Sequence, residues 1–131
     1  MKPTKSSLYR EIDNLLLWFI PIGNNLPKDF ALRTLGERML NDLVDALNST
    51  ALALQTQDVR QRLEIINLVK LNITSASSIS KVLVEYSSRD SSKARIISQK
   101  QRASLLVSLT SINGQLARWE NSTQTALKAL D

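Results

Sequence analysis

The amino-acid sequence predicts an all-α fold, an antiparallel up-down-up-down four-helix bundle in a single domain over residues 1–131. Apolar residues recur at steps of three and four through four long segments, the mark of a helix with one buried face. Three Gly, three Pro and 5% aromatic residues are sparse for a β protein with many turns. The breaks between the first three segments are short, and short connections make successive helices antiparallel neighbours.

The first helix is expected over about 6–22, capped by Ser6 or Ser7, with Leu8, Ile12, Leu15, Phe19 and Ile22 in one stripe. Pro21 lies inside it, so its last turn must kink or loosen, and Gly23-Asn24-Asn25 supplies terminating residues. Asp29 suits the N-cap of a second helix over 29–55, whose stripe is Leu32, Leu35, Met39, Leu43, Ala46, Thr50 and Leu54. Gly36 interrupts that helix at a cost of roughly 1 kcal/mol against Ala, which suggests that another backbone comes close there.

Thr56-Gln57-Asp58 makes a polar break before a third helix over 58–86. Its stripe is Val59, Leu63, Ile66, Val69, Ile73, Ala76, Ile79, Leu83 and Tyr86, and Ile65, Leu68, Leu71, Val82 and Val84 widen it. The extra width predicts a second buried face. The small run Thr74–Ser78 implies either close helix packing or a soft spot. Ser87–Arg95 is polar and basic without an apolar period, and reads as the longest loop or as a frayed helix end. The fourth helix, over 98–130, carries a heptad of Leu105, Leu109, Ile112, Leu116, Trp119, Thr123, Ala126 and Leu130.

Composition removes most catalytic chemistry from consideration. With neither Cys nor His, the chain lacks thiolate nucleophiles, the usual zinc ligands and the usual general base. No phosphate-binding Gly loop or nucleophile elbow occurs, and the Glu11/Asp13 and Asp42/Asp45 pairs have no companion ligands. The chain is expected to be non-enzymatic, without cofactor or metal. No run of apolar residues suits a signal peptide or a membrane span, which predicts a cytoplasmic protein that does not enter membranes.

The net charge of +5 is concentrated. Between Tyr86 and Trp119 stand Arg89, Lys93, Arg95, Lys100, Arg102 and Arg118 against the single acid Asp90. Clustered cations attract phosphates and gain from counterion release, so these six are the candidate nucleic-acid-binding residues. The alternative is a solvated, basic loop that only keeps the protein soluble. Either Trp could stack on a base, but Trp119 falls on the heptad of the core, whereas Trp18 lies off the stripe and is expected as an exposed indole facing a partner. Trp18, Ile65, Leu68 and Val82 are the candidate partner or subunit contacts.

Trp18-Phe19-Ile20-Pro21-Ile22-Gly23-Asn24-Asn25-Leu26-Pro27-Lys28, followed by Leu35-Gly36-Glu37-Arg38, resembles the helix-one end and helix-two start of the accessory variability determinant (Avd) proteins of diversity-generating retroelements. Those belong to the four-helix-bundle proteins related to ones encoded by ribosomal intervening sequences. Ile112-Asn113-Gly114 is similar to the Gly-containing stretch of their last helix. The resemblance implies a ring-like homopentamer that binds a reverse transcriptase and RNA of the template-repeat and spacer region, with DNA as a further candidate ligand. It would support mutagenic reverse transcription, the chemistry belonging to the partner. The competing expectation is a helical oligomer that docks proteins and touches no nucleic acid.

Overall fold

A computed structural model describes residues 6–89 and 96–130, with the side chains of 87–89 outside the description. It is all-helical: α1 (Ser7–Asn24), α2 (Phe30–Gln55), α3 (Val59–Arg89) and α4 (Gln99–Leu130), with no strand among the described residues. The most extensive packing is between α2 and α3; α1 also packs on α2, α3 on α4, and α1 on α4, around one shared core. The small buried residues Ala46, Thr50 and Ala53 on α2 favour the close approach of α3.

Each start is fixed by a side chain that takes up backbone N–H groups the helix cannot satisfy itself. Ser6 Oγ accepts from Tyr9 N, and Asp29 Oδ1 accepts from Leu32 N. At α3, Asp58 Oδ1 accepts from both Arg60 N and Gln61 N. At α4, Ser98 Oγ accepts from Gln101 N while Gln101 Oε1 accepts from Ser98 N, a reciprocal capping box. Arg62 Nε donates to Thr56 O and ties the α2–α3 connection to the first turn of α3.

The stripe of α1 is buried at all its expected positions, Leu8, Ile12, Leu15, Phe19 and Ile22. The helix runs past Pro21 to Asn24 rather than ending near 22. Pro21 forfeits only its own bond to the Leu17 carbonyl, and the Asn25 side-chain amide donates to Pro21 O at 2.8 Å. On α2 the buried set drifts from expectation: Gly36 and Ala53 are buried, while Leu35 and Leu54 are only partly so. The buried positions Leu32, Gly36, Met39, Leu43, Ala46, Thr50 and Ala53 alternate steps of four and three, a strict seven-residue repeat, whereas the expected stripe follows the larger leucines at its two ends.

α3 is continuous through Thr74–Ser78 and extends to Arg89, three residues past its expected end at 86. Of the polar segment expected as a loop or frayed end over 87–95, the first three residues therefore belong to α3, and positions 90–95 lie outside the described residues. On α4 the heptad is buried at Leu105, Leu109, Ile112, Leu116 and Thr123, but Trp119 is only partly buried and Ala126 and Leu130 are exposed. Ile97, just ahead of α4, joins the core unanticipated by the heptad.

Gly36 does make room, though for a side chain and not for another backbone. A Cβ there would overlap Leu26 Cδ1, so the missing side chain lets Leu26 fold from the α1–α2 connection onto α2. The buried hydroxyls are satisfied within their own helices: Thr50 donates to Ala46 O, Ser80 to Ser77 O and Thr123 to Trp119 O.

Candidate nucleic-acid and subunit interfaces

Half of the basic cluster can be placed. Arg89 is the last residue of α3, with its side chain outside the description, and Lys93 and Arg95 lie outside the described residues. Lys100, Arg102 and Arg118 are exposed on α4. Lys100 and Arg118 are 18 positions apart, a whole number of turns, so they share a face about 27 Å apart along the axis. Arg102 points about 160° away from both. The described members are therefore spread along and around one helix, although the sequence sets two of them close together.

The electrostatics of α4 are one-sided. It carries Lys100, Arg102, Arg118 and Lys128 against Glu120 alone, and Glu120 is held by Lys70 of α3 at 2.6 Å. No ion pair joins Lys100, Arg102 or Arg118 to another described residue. Cations left unneutralised retain their pull on a phosphate chain.

On α3 the broad apolar stripe divides in two. Ile66, Val69, Ile73, Ala76, Ile79 and Leu83 form the buried line, and Ile65 and Val84 pack against the core from its edges. Leu68, Leu71, Val82 and Tyr86 fall within about 60° of one another, on the flank of the helix beside that line. They stay open to solvent, Leu71 at 66% and Leu68 at 54%. The second buried face expected from the sequence is thus an uncovered one in the single chain. Such an apolar strip at helical spacing is a surface fit for another helix.

Trp18 is corrected: it is half-buried and packs against the core, and the exposed member of that pair is Leu17. Trp18 lies one position from the buried Phe19, near enough to the seam for a large indole to fold back over it. Trp119 likewise lies against the core at its margin.

Two cavities open on the surface. One of about 320 Å³ lies between α1 and α2 and is lined by Phe19, Ile20, Leu26, Arg33, Glu37 and Leu40 among others. The second, of about 340 Å³, lies where the start of α1 meets α4, and is lined by Ser6, Ser7, Leu8, Leu54, Gln115, Arg118 and Trp119. Periodicity shows neither, because each depends on the relative heights of helices distant in sequence. No described group of three or more carboxylates could hold a metal ion. Asp42 is half-buried, with Oδ2 enclosed and lacking a hydrogen-bond partner among the described residues. No described helix is long and apolar enough to cross a membrane. Compared with known proteins, the chain matches no family model, no curated protein and no solved structure.

Proposed function

We propose that the chain is a non-enzymatic accessory subunit of a diversity-generating retroelement, binding nucleic acid and a reverse transcriptase to support mutagenic reverse transcription. The observation that carries the reading is the charge imbalance of α4: exposed Lys100, Arg102 and Arg118 without ion-pair partners among the described residues, and Glu120 already taken by Lys70. Arg89, Lys93 and Arg95 add further charge just ahead in sequence. The reverse transcriptase, the template-repeat and spacer RNA, the cytoplasmic setting and the homopentameric ring come from the Avd resemblance. In this reading the helices run up-down-up-down and antiparallel, and Leu68, Val82 and the edge residue Ile65 meet a neighbouring subunit, with Trp18 at the margin of a partner contact.

The test is single-stranded RNA binding by fluorescence anisotropy over a salt series. A backbone binder loses affinity log-linearly with salt, with a slope of about −0.7 per phosphate neutralised on single strands. Replacing Arg89, Lys93, Arg95, Lys100, Arg102 and Arg118 together with Gln is expected to flatten the slope and abolish binding at low salt. Unchanged binding would remove the assignment.

A second reading is a helical oligomer that docks proteins only, favoured by the uncovered α3 strip of Leu68, Leu71 and Val82. It predicts no salt-sensitive retention on a polyanion column.

A further inference from the structure

The cavity beside Arg118 has a specific origin in the lengths of the helices. α1 has 18 residues, about 27 Å, whereas α4 has 32, about 48 Å. The start of α1 lies alongside the 115–119 turn of α4, and α4 continues over 120–130 beyond that turn. Leu54, one residue from the end of α2, closes the same notch. The result is a recess of about 340 Å³, near the lower end of small-ligand pockets.

Its walls differ in chemistry. Leu8, Leu54 and the Trp119 indole give an apolar, partly aromatic side, while Arg118, Gln115, Ser6 and Ser7 give a polar lip. Arg118 is exposed and in no ion pair with a described residue, and no acidic residue stands in the first turn of α1 to compete for it. Its guanidinium lies back over Gly114, with Nη1 at 3.5 Å from where a Cβ would stand. An indole and an Arg without an ion pair lining one recess match a planar group carrying a phosphate, since bases stack on aromatic rings and Arg forks bond phosphate oxygens.

We propose that the recess between the start of α1 and the 115–119 turn of α4 holds one nucleotide of a single-stranded nucleic acid, its base against Trp119 and its phosphate at Arg118. This rests on the nucleic-acid reading above and goes beyond it by giving one base a seat, where Lys100 and Arg102 track only backbone. The recess has room for about one nucleotide, so the base it takes is an unpaired one.

The experiment uses the full chain with Trp18→Phe, which leaves Trp119 as the sole indole. Adenosine 5′-monophosphate, adenosine and inorganic phosphate are titrated separately against Trp119 emission, and retention on a polyanion column is measured in parallel. The monophosphate is expected to quench saturably, with adenosine and phosphate each at least about tenfold weaker. Arg118→Gln, an exposed change that leaves helicity by circular dichroism intact, should weaken the monophosphate about tenfold and leave adenosine unchanged. Equal responses to adenosine and its monophosphate, no quenching by either, or no effect of Arg118→Gln would overturn the pocket. If salt-sensitive polyanion retention persists in that case, the wider reading stands without the pocket. If retention is also absent, both fall. Displacement of the monophosphate by polyglutamate with equal potency would identify an acidic peptide as the occupant and overturn the nucleotide assignment.

Discussion

The Lys70 ammonium on α3 reaches across to the Glu120 carboxylate on α4 at 2.6 Å, a contact between residues fifty positions apart in the chain. The pair links two helices whose connection includes the longest polar stretch of the sequence, and it neutralises the lone acid of α4. Both side chains retain access to water, so the bond is worth less than its length suggests. Lys70→Ala is expected to lower stability to urea by about 0.5–1 kcal/mol. It also leaves an unpaired carboxylate on the basic helix, so RNA affinity should fall a few-fold at low salt and be indistinguishable from wild type near 1 M, where the screening length is about 3 Å. Anisotropy at the two ionic strengths separates this effect from loss of fold.

Gly36 and Leu26 form a pair in which one residue exists in the space the other lacks. Gly36→Ala gains up to about 1 kcal/mol of helix propensity, yet it pushes a methyl group into the buried Leu26 side chain. Overpacking of this kind costs about 1–3 kcal/mol, so the net change is expected to be destabilising. In a double-mutant cycle with Leu26→Ala, denaturant midpoints should show the Gly36→Ala penalty disappearing once the leucine is gone. Additive penalties would mean that the two residues do not share that space.

Leu71 is the most exposed member of the uncovered strip on α3, with Leu68 before it and Val82 about three turns later. Leu71→Glu should leave the helicity and urea midpoint of the isolated chain within about 0.5 kcal/mol, because the side chain is already in water. If the strip is a contact between copies, the same substitution should convert an associating protein to a monomer in sedimentation equilibrium. A wild type that is monomeric at high concentration, or a variant that assembles as well as wild type, would assign the strip to a different partner.

The seam of α1 is legible in the sequence in full, because its apolar residues recur at uninterrupted steps of three and four, and Asp29 is recognisable as a cap from residue type alone, which for α1 leaves Ser6 and Ser7 as alternatives. The seam of α4 is legible only in part. Periodicity identifies a face but not whether a neighbour stands opposite, and Ala126 and Leu130 continue the pattern where nothing covers them. Trp18 departs from expectation because its position off the stripe says nothing of how far an indole can reach back to it. The basic cluster shows the difference between sequence and space most clearly. Lys100 and Arg102 are neighbours in sequence but diverge on the helix, whereas Lys100 and Arg118 align only after five turns. The recess at Arg118 and Trp119 has no signal in the sequence at all, since it arises from where α1 begins relative to α4.

The hydroxyls of Thr50, Ser80 and Thr123 bear on more than the satisfaction of buried groups. Each turns back to its own helix, so none of them gives a neighbouring helix a polar address to dock on. Where a buried polar pair fixes register in helical assemblies, the alignment of helices is dictated from within the core. Here it is set at the periphery, by the Arg62–Thr56 clasp at one connection, by Leu26 seated on Gly36 at another, and by the Lys70–Glu120 strut between α3 and α4. The interior is a greased contact held by shape, and of the pins that stop the helices from sliding along one another, Leu26 on Gly36 is sealed from water while the Lys70–Glu120 strut sits where solvent and salt can reach it.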